Sequence, residues 1–99
     1  MTQCVGMTII QELVALGITE FCISPGSRST PLTQAVALNP KARKYIFIDE
    51  RSSAFFALGL AKATGRPAVV ITTSGTAISN GFPALIEASE SGIPIVFIS

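Results

Sequence analysis

The sequence contains no histidine, only two cysteines and few charged residues, and each scarcity argues against a class of function. Without histidine or a spaced group of cysteines, the chain lacks the usual ligands of a zinc site. It also lacks the base of a Ser-His-Asp or Cys-His nucleophile system. Lysine and arginine (7) nearly balance aspartate and glutamate (6), so the net charge is +1. The composition therefore does not indicate a nucleic-acid-binding face, an acidic calcium buffer or a polybasic membrane anchor.

Long apolar runs are also missing. Runs such as 68–71 and 93–98 fall well short of the roughly 18 residues that a membrane-spanning helix needs. The N-terminus has no basic stretch before its apolar residues and does not resemble a secretory signal. Cys22 lies between Phe21 and Ile23, where a buried thiol is expected. These features predict a cytoplasmic protein, or a plastid protein if the source is a photosynthetic eukaryote.

Charged residues make up 13% of the chain, about half of the ~25% that is usual in a soluble domain. A chain of this size that folds alone buries only roughly 60–70% of its unfolded surface. We therefore expect apolar faces that another domain or subunit covers. The sequence stops inside or just after a predicted strand, so we expect a fragment of a longer protein.

Apolar periodicity and turn residues predict eight alternating elements. The predicted helices span 2–16, 30–38, 52–63 and 77–91, and the predicted strands span 21–24, 45–48, 68–72 and 93–98. Strands that are apolar on both faces and alternate with helices predict an α/β fold, in which a parallel sheet has helices on both faces.

Three segments with unusual residues follow predicted strands, namely 25–31, 49–51 and 73–76. Ligands bind beyond the carboxyl ends of the strands in an open parallel sheet, so we expect the three segments to line one crevice. Each segment also begins a helix, whose free N–H groups favour an anionic ligand.

The residues of the first and third segments permit two interpretations. Ser27 and Arg28 offer a hydroxyl donor and a planar guanidinium for a carboxylate or phosphate. A solvated turn whose Ser29 or Thr30 caps the next helix is an equally good interpretation. The small-residue segment 73–76 would let a flat ring or a phosphate approach the backbone, but it has neither the lysine of a P-loop nor the spacing of G-x-G-x-x-G.

Glu50 is the candidate acid–base residue of the second segment. It lies between an apolar strand and a nearly all-apolar helix, and a carboxyl group in apolar surroundings can hold or donate a proton near neutral pH. Alternatively, Glu50 interacts with the helix dipole or pairs with Arg51. The helix at 52–63 is apolar all round, so we expect it to be buried on both sides and to meet another subunit or domain.

Five motifs, taken in their order and spacing, resemble the start of the 2-succinyl-5-enolpyruvyl-6-hydroxy-3-cyclohexene-1-carboxylate synthases. These are thiamine-diphosphate enzymes of menaquinone and phylloquinone biosynthesis. The motifs are S-P-G-S-R-S-T-P-L at 24–32, D-E-R at 49–51, A-L-G-L-A-K at 57–62, T-S-G-T-A at 73–77 and P-A-L-I-E-A at 83–88. The resemblance covers residues 17–99, and the first motif is not shared by thiamine enzymes in general.

The resemblance implies a transferase that decarboxylates 2-oxoglutarate and adds the succinyl-semialdehyde unit to isochorismate. Glu50 would hydrogen-bond the aminopyrimidine ring of thiamine diphosphate and favour its imino tautomer. Ser27 and Arg28 would bind substrate carboxylates. The residues beside the pyrimidine would be Thr73, Ser74, Gly75 and Thr76.

By the same resemblance, residues 1–99 form part of a pyrimidine-binding domain. The G-D-G motif and downstream asparagine that hold Mg²⁺ and the diphosphate are not in this sequence, so the diphosphate-binding domain is absent from it. We expect a homo-oligomer, a dimer or tetramer, in the complete enzyme, and no activity from the 99 residues alone. The alternatives are the pyrimidine-binding domain of another thiamine-dependent decarboxylase or acetolactate-type synthase, or a noncatalytic anion-binding or interaction module.

Overall fold

A computed structural model of the chain describes residues 2–24, 30–72 and 76–98. Helices and strands alternate through these residues. The elements are α1 (Thr2–Ala15), β1 (Glu20–Ile23), α2 (Thr30–Leu38), β2 (Arg43–Ile46), α3 (Glu50–Thr64), β3 (Ala68–Ile71), α4 (Thr76–Ser91) and β4 (Ile95–Ile98). The predicted bounds differ from these by two residues or fewer.

The four strands form one parallel sheet in the order β2-β1-β3-β4. Cys22 on β1 lies beside Tyr45 of β2 and Val70 of β3, and Val70 lies beside Phe97 of β4. The connection from β2 to β3 crosses β1 and contains α3. The predicted α/β fold with a parallel sheet is confirmed.

Side chains that alternate along the strands divide the core between the two faces of the sheet. On one face, Phe21 and Ile23 pack in a buried cluster with Ile10 of α1 and Val36 of α2. On the other face, the buried cluster joins β1 and β3 to α3, and its members are Cys22, Ala57, Ala61, Ala68 and Val70. Helices therefore cover both faces, as predicted.

The helix α3 begins two residues earlier than the sequence predicts because Asp49 caps it. The Asp49 carboxylate accepts hydrogen bonds from the backbone N–H (3.3 Å) and hydroxyl (2.8 Å) of Ser52. These bonds satisfy a donor at the helix start and bring Glu50 into the first turn. At the other end, Gly65 adopts a φ of 70° and its N–H donates to the Ala61 carbonyl at 3.0 Å.

One packing prediction is wrong for a particular element. The prediction that every strand is apolar on both faces fails for β2, where Arg43 and Lys44 are exposed because β2 is an outer strand.

The buried residues of the helix α3 form one face toward the sheet and α4. Phe55 and Phe56, on its remaining surface, are each 40% exposed. Burial of this second side by another subunit or domain stays a prediction.

No helix within the described ranges is both long and apolar enough to cross a membrane.

Close packing of α4 against the sheet yields a test of the fold. A Cβ added at Gly81 would lie 2.6 Å from Cε2 of Phe97 and 3.6 Å from Cβ of Ala54. We expect Gly81→Ala to lower the free energy of unfolding by about 1–3 kcal/mol, because overpacking forces the Phe97 ring to move. Denaturant unfolding measures the change.

Gly59 provides the matched control for this substitution. It also lies inside a helix, but a Cβ there would meet nothing within 4 Å. Gly59→Ala should raise the free energy of unfolding by about 0.5–1 kcal/mol through helix propensity alone. Equal effects of the two substitutions would contradict the close approach of α4 to Phe97.

The Cys22 thiol yields a second prediction. Burial, together with the nearby Glu20 carboxylate, raises the pKa of Cys22 to about 12. We expect peptide mapping by mass spectrometry to find Cys22 unmodified after iodoacetamide treatment of the native protein and modified after treatment of the unfolded protein. Because the fold disfavours the thiolate, this residue should also lower stability as pH rises from about 9 toward about 12. Rapid labelling of Cys22 in the native state would contradict its burial.

Candidate functional site

The carboxyl ends of the strands form one edge of the sheet. The backbone ladder continues there one residue past β1, β2 and β3. The N–H of Phe47 donates to the Ile23 carbonyl (2.9 Å), that of Ser24 donates to the Ile71 carbonyl (2.9 Å), and that of Thr72 donates to the Ile98 carbonyl (3.0 Å). We call this side the carboxyl edge, since all the strands of the described sheet end on it.

A topological switch point lies between β1 and β3 on this edge. These strands are neighbours, but β1 leads through α2 to the strand on one side, and β3 leads through α4 to the strand on the other. The α2 helix packs on one face of the sheet and α4 packs beside α3 on the opposite face. Ligand crevices in open α/β sheets form where connections diverge in this way.

The segments that border this switch point contain most of the predicted site residues. Ser27 and Arg28 follow β1, and Thr73, Ser74 and Gly75 follow β3, but all five lie outside the described residues. Thr76 is the first residue of α4, and its side chain also lies outside the described part of the structure. The described geometry of the site is therefore that of Glu50 and its surroundings.

Glu50 is the first residue of α3, which follows β2 at the carboxyl edge. The starts of α3 and α4, at Glu50 and Thr76, thus follow strands that end on the same edge. The Ser52 hydroxyl beside the capping Asp49 holds the pKa of the Asp49 carboxyl below its usual range, so Asp49 stays ionised and continues to cap the helix. The cap fixes the backbone from which the half-buried Glu50 side chain extends.

The apolar enclosure that the sequence predicts around Glu50 is partial. The Phe56 ring packs against the rings of Tyr45 and Phe47, with centroids 5.1 and 5.0 Å apart. The contacts among these three rings pack the first two turns of α3 against β2 and the residue that follows it. Ile48, however, is 94% exposed and does not cover the site within this chain.

Two buried serines, at the carboxyl-edge ends of β1 and α3, are absent from the sequence predictions above. Ser24, just after β1, is 1% exposed, and Ser53, one helical turn after Glu50, is 0% exposed. Neither hydroxyl oxygen has a hydrogen-bond partner among the described residues. Such groups are costly to bury, and they mark places where a ligand or a water molecule completes the bonding.

The packing of α3 on β1 indicates where the two serines lie relative to each other. Cys22 and Ala57 belong to the same buried cluster. Ser53 precedes Ala57 by one helical turn and Ser24 follows Cys22 by two residues, and each step leads about 6 Å toward the carboxyl edge. We therefore expect Ser53 and Ser24 to lie on the same face of the sheet, near that edge. A serine within the otherwise apolar inner face of a helix is the sequence signal that could have identified Ser53.

These groups fit the binding of a nitrogen-containing aromatic ring. A carboxyl group can accept or donate a proton at a ring nitrogen, and hydroxyl groups can do both toward ring substituents. Within residues 2–24, 30–72 and 76–98, no group of three or more His, Cys, Asp and Glu side chains could hold a metal ion.

Comparison with known proteins identifies the family of the chain. The family described as "Thiamine pyrophosphate enzyme, N-terminal TPP binding domain" matches residues 4–99. The chain is 64% identical over 91 residues to a 2-succinyl-5-enolpyruvyl-6-hydroxy-3-cyclohexene-1-carboxylate synthase of Pelodictyon phaeoclathratiforme, a match that covers 92% of the chain and 15% of that protein. It is also 50% identical over 94 residues to the synthase so named in Rubrobacter xylanophilus, covering 95% of the chain and 16% of that protein. The resemblance predicted from the five motifs is confirmed, and the chain spans about a sixth of the length of these relatives.

The unpartnered Ser53 hydroxyl yields a prediction in which Ser52 is the matched control. Ser52→Ala removes the hydrogen bond to Asp49 and should lower the free energy of unfolding by about 0.5–1.5 kcal/mol. Ser53→Ala removes a hydroxyl that forms no bond within the described residues, so stability should stay the same or rise by up to about 1 kcal/mol. Denaturant unfolding of both variants, without ligand, measures the two changes in the free energy of unfolding. A loss in Ser53→Ala as large as in Ser52→Ala would show that the hydroxyl already has a partner.

Proposed function

Since the chain belongs to the thiamine pyrophosphate enzyme family, as an N-terminal TPP binding domain, we propose that it forms the pyrimidine-binding part of a 2-succinyl-5-enolpyruvyl-6-hydroxy-3-cyclohexene-1-carboxylate synthase. The observation that carries the proposal is the position of Glu50, the first residue of α3, at the carboxyl edge of a parallel sheet. The names of the relatives and the S-P-G-S-R-S-T-P-L segment support this particular synthase over other thiamine enzymes.

The proposed reaction is the decarboxylation of 2-oxoglutarate and the transfer of the succinyl-semialdehyde unit to isochorismate. Thiamine diphosphate, when bound, supplies the acidic C2 carbon on which this chemistry takes place. Both proposed substrates carry carboxylates. The helix starts at the carboxyl edge suit such anions, because their free N–H groups and partial positive charge point toward that edge.

The proposed role of Glu50 is to exchange a proton with a pyrimidine ring nitrogen. A carboxyl group at Glu50 could share or donate a proton at that nitrogen, and with thiamine diphosphate bound it would thereby help to prepare the ring for proton transfer. The N-cap restricts the backbone conformation at Glu50, the first residue of α3. This restriction limits the directions in which the carboxyl group can extend. The buried Ser53 hydroxyl offers a further hydrogen bond on the inner face of the same helix, and the buried Ser24 hydroxyl offers another just after β1.

The other proposed site residues act on binding. Arg28 and Ser27 would hold a substrate carboxylate through a charge-assisted pair of hydrogen bonds. The segment of Thr73, Ser74, Gly75 and Thr76 would lie beside the pyrimidine ring, where small side chains permit close approach to the backbone. These roles follow from the resemblance and from the positions of these residues after β1 and β3.

Three further features belong to the proposal for the complete enzyme. Mg²⁺ and the diphosphate group would be held by residues outside these 99. A second copy of the protein would complete the active site and cover Phe55 and Phe56, which are exposed within this chain. The cytoplasm is the compartment that we propose, in keeping with the scarcity of cysteine.

The proposed role of Glu50 predicts a large loss of proton transfer in Glu50→Gln. The amide preserves the shape of the side chain but cannot alternate between proton donor and acceptor. We expect C2 proton exchange of bound thiamine diphosphate, followed by NMR in the complete enzyme, to slow by about 10²–10⁴-fold. Exchange at the unmodified rate would exclude the proposed role.

Arg28→Ala is the control that separates binding from proton transfer in the same experiment. Losing a charge-assisted bond should weaken substrate binding by about 1.5–3 kcal/mol and raise KM. C2 proton exchange should stay close to the unmodified rate, since no substrate takes part in it. If Arg28→Ala slows the exchange as much as Glu50→Gln, the division of roles between the two segments is wrong.

A further inference from the structure

A cleft of about 380 Å³ opens on the side of the sheet opposite to the carboxyl edge. We call it the amino-edge cleft. The connections that precede β1, β2 and β3 meet there. Gly17 and Thr19 come from the first, Lys41 from the second and Arg66 from the third, and Thr64 at the end of α3 also lines the cleft. Four-residue strands separate the two edges by roughly 13 Å, so the amino-edge cleft is distinct from the surroundings of Glu50.

Positive charge is concentrated in this cleft. Three of the seven lysine and arginine residues of the chain line it, namely Lys41, Arg43 and Arg66. Glu20 is the one carboxylate in the lining. In a chain whose net charge is +1, the lining of this single cleft therefore has an excess of two positive charges.

The Glu20 carboxylate neutralises the cluster only in part. Its Oε1 lies 3.8 Å from Nη1 of Arg43, which is a long ion pair, and the Arg43 side chain remains 75% exposed. Its Oε2 is buried without a hydrogen-bond partner among the described residues. Within the described ranges, neither Lys41 nor Arg66 forms a salt bridge. A structural salt-bridge network would use these groups more completely, so the cations are available to an external anion.

The local backbone explains how the cations are brought together. The Lys41 N–H donates to the Asn39 side-chain carbonyl (3.0 Å), and the Arg66 N–H donates to the Thr64 hydroxyl (3.2 Å). Each bond closes a tight turn and limits the positions that the attached side chain can reach. The carboxyl-terminal end of α3, which attracts cations by its dipole, lies beside Arg66.

We propose that the amino-edge cleft binds a small dianion, a dicarboxylate or hydrogen phosphate, between Arg43, Lys41 and Arg66. The two uncompensated positive charges match the charge of such a ligand, and the cleft has more than enough room for one. The bound ligand would contact Lys41 in the connection before β2 and Arg66 in the connection before β3. This proposal does not rest on the proposed function, because it involves neither the carboxyl edge nor a cofactor.

The test is titration of the protein, without thiamine diphosphate, with succinate, hydrogen phosphate and the monoanion acetate. We expect saturable binding of at least one dianion by calorimetry, with backbone amide NMR shifts at Thr19 and Arg66. Acetate should bind at least tenfold more weakly, and added sodium chloride should weaken dianion binding. Preference between succinate and phosphate identifies which source of dianion the cleft accepts.

Charge-removing variants assign the binding to this cleft. Arg66→Gln and Lys41→Gln should each weaken dianion binding by about tenfold or more, because each removes a charge-assisted bond. Lys62→Gln, which removes an exposed lysine of α3 that is not part of the lining, should leave binding unchanged. All three positions are on the surface, and circular dichroism checks that each variant folds. Binding of neither dianion, equal binding of acetate, or equal affinity in Arg66→Gln and Lys62→Gln would overturn the proposal.

Discussion

The parallel pairing of β1 with both β2 and β3 is the constraint on which the rest of the molecule depends. Parallel neighbours cannot be joined by a hairpin, so each connection returns through a helix. Each helix that follows a strand therefore starts near the carboxyl edge and ends near the amino edge. The helix starts favour anions directly, whereas the helix ends favour cationic side chains such as Arg66, which can in turn bind an anion. The two candidate binding regions of this chain thus lie at opposite edges of one sheet and attract anions by different means.

At the carboxyl edge, the cap of α3 fixes the position of Glu50 relative to the sheet. Asp49 accepts two hydrogen bonds from Ser52, and this pair decides where α3 begins. Glu50 then enters the helix at its first position, and Ser53 follows one turn later on the inner face. The same short sequence thereby produces an exposed capping bond, a half-buried carboxyl group and a fully buried hydroxyl.

The alternation of elements and the parallel sheet could be predicted because they depend on apolar periodicity, which the sequence displays directly. The start of α3 was predicted two residues late because the interaction between Asp49 and Ser52 depends on side-chain geometry. The position of β2 was also predicted two residues late, since an outer strand accepts Arg43 and Lys44 where an inner strand would not. Ser24 and Ser53 could not be identified from periodicity, which does not reveal whether a buried hydroxyl has a partner. The amino-edge cleft is assembled from three separate turns, so it has no contiguous sequence signature.

The two outer strands of the described sheet differ in their capacity to accept a further strand. Exposed Arg43 and Lys44 lie on β2, and like charges on a free edge repel another chain that would pair with it. The β4 strand at the other edge consists of Ile95, Val96, Phe97 and Ile98 and has no charge. Of the two outer strands, β4 is therefore the more open to a further strand, whether from the same polypeptide or in aggregation of partly folded molecules.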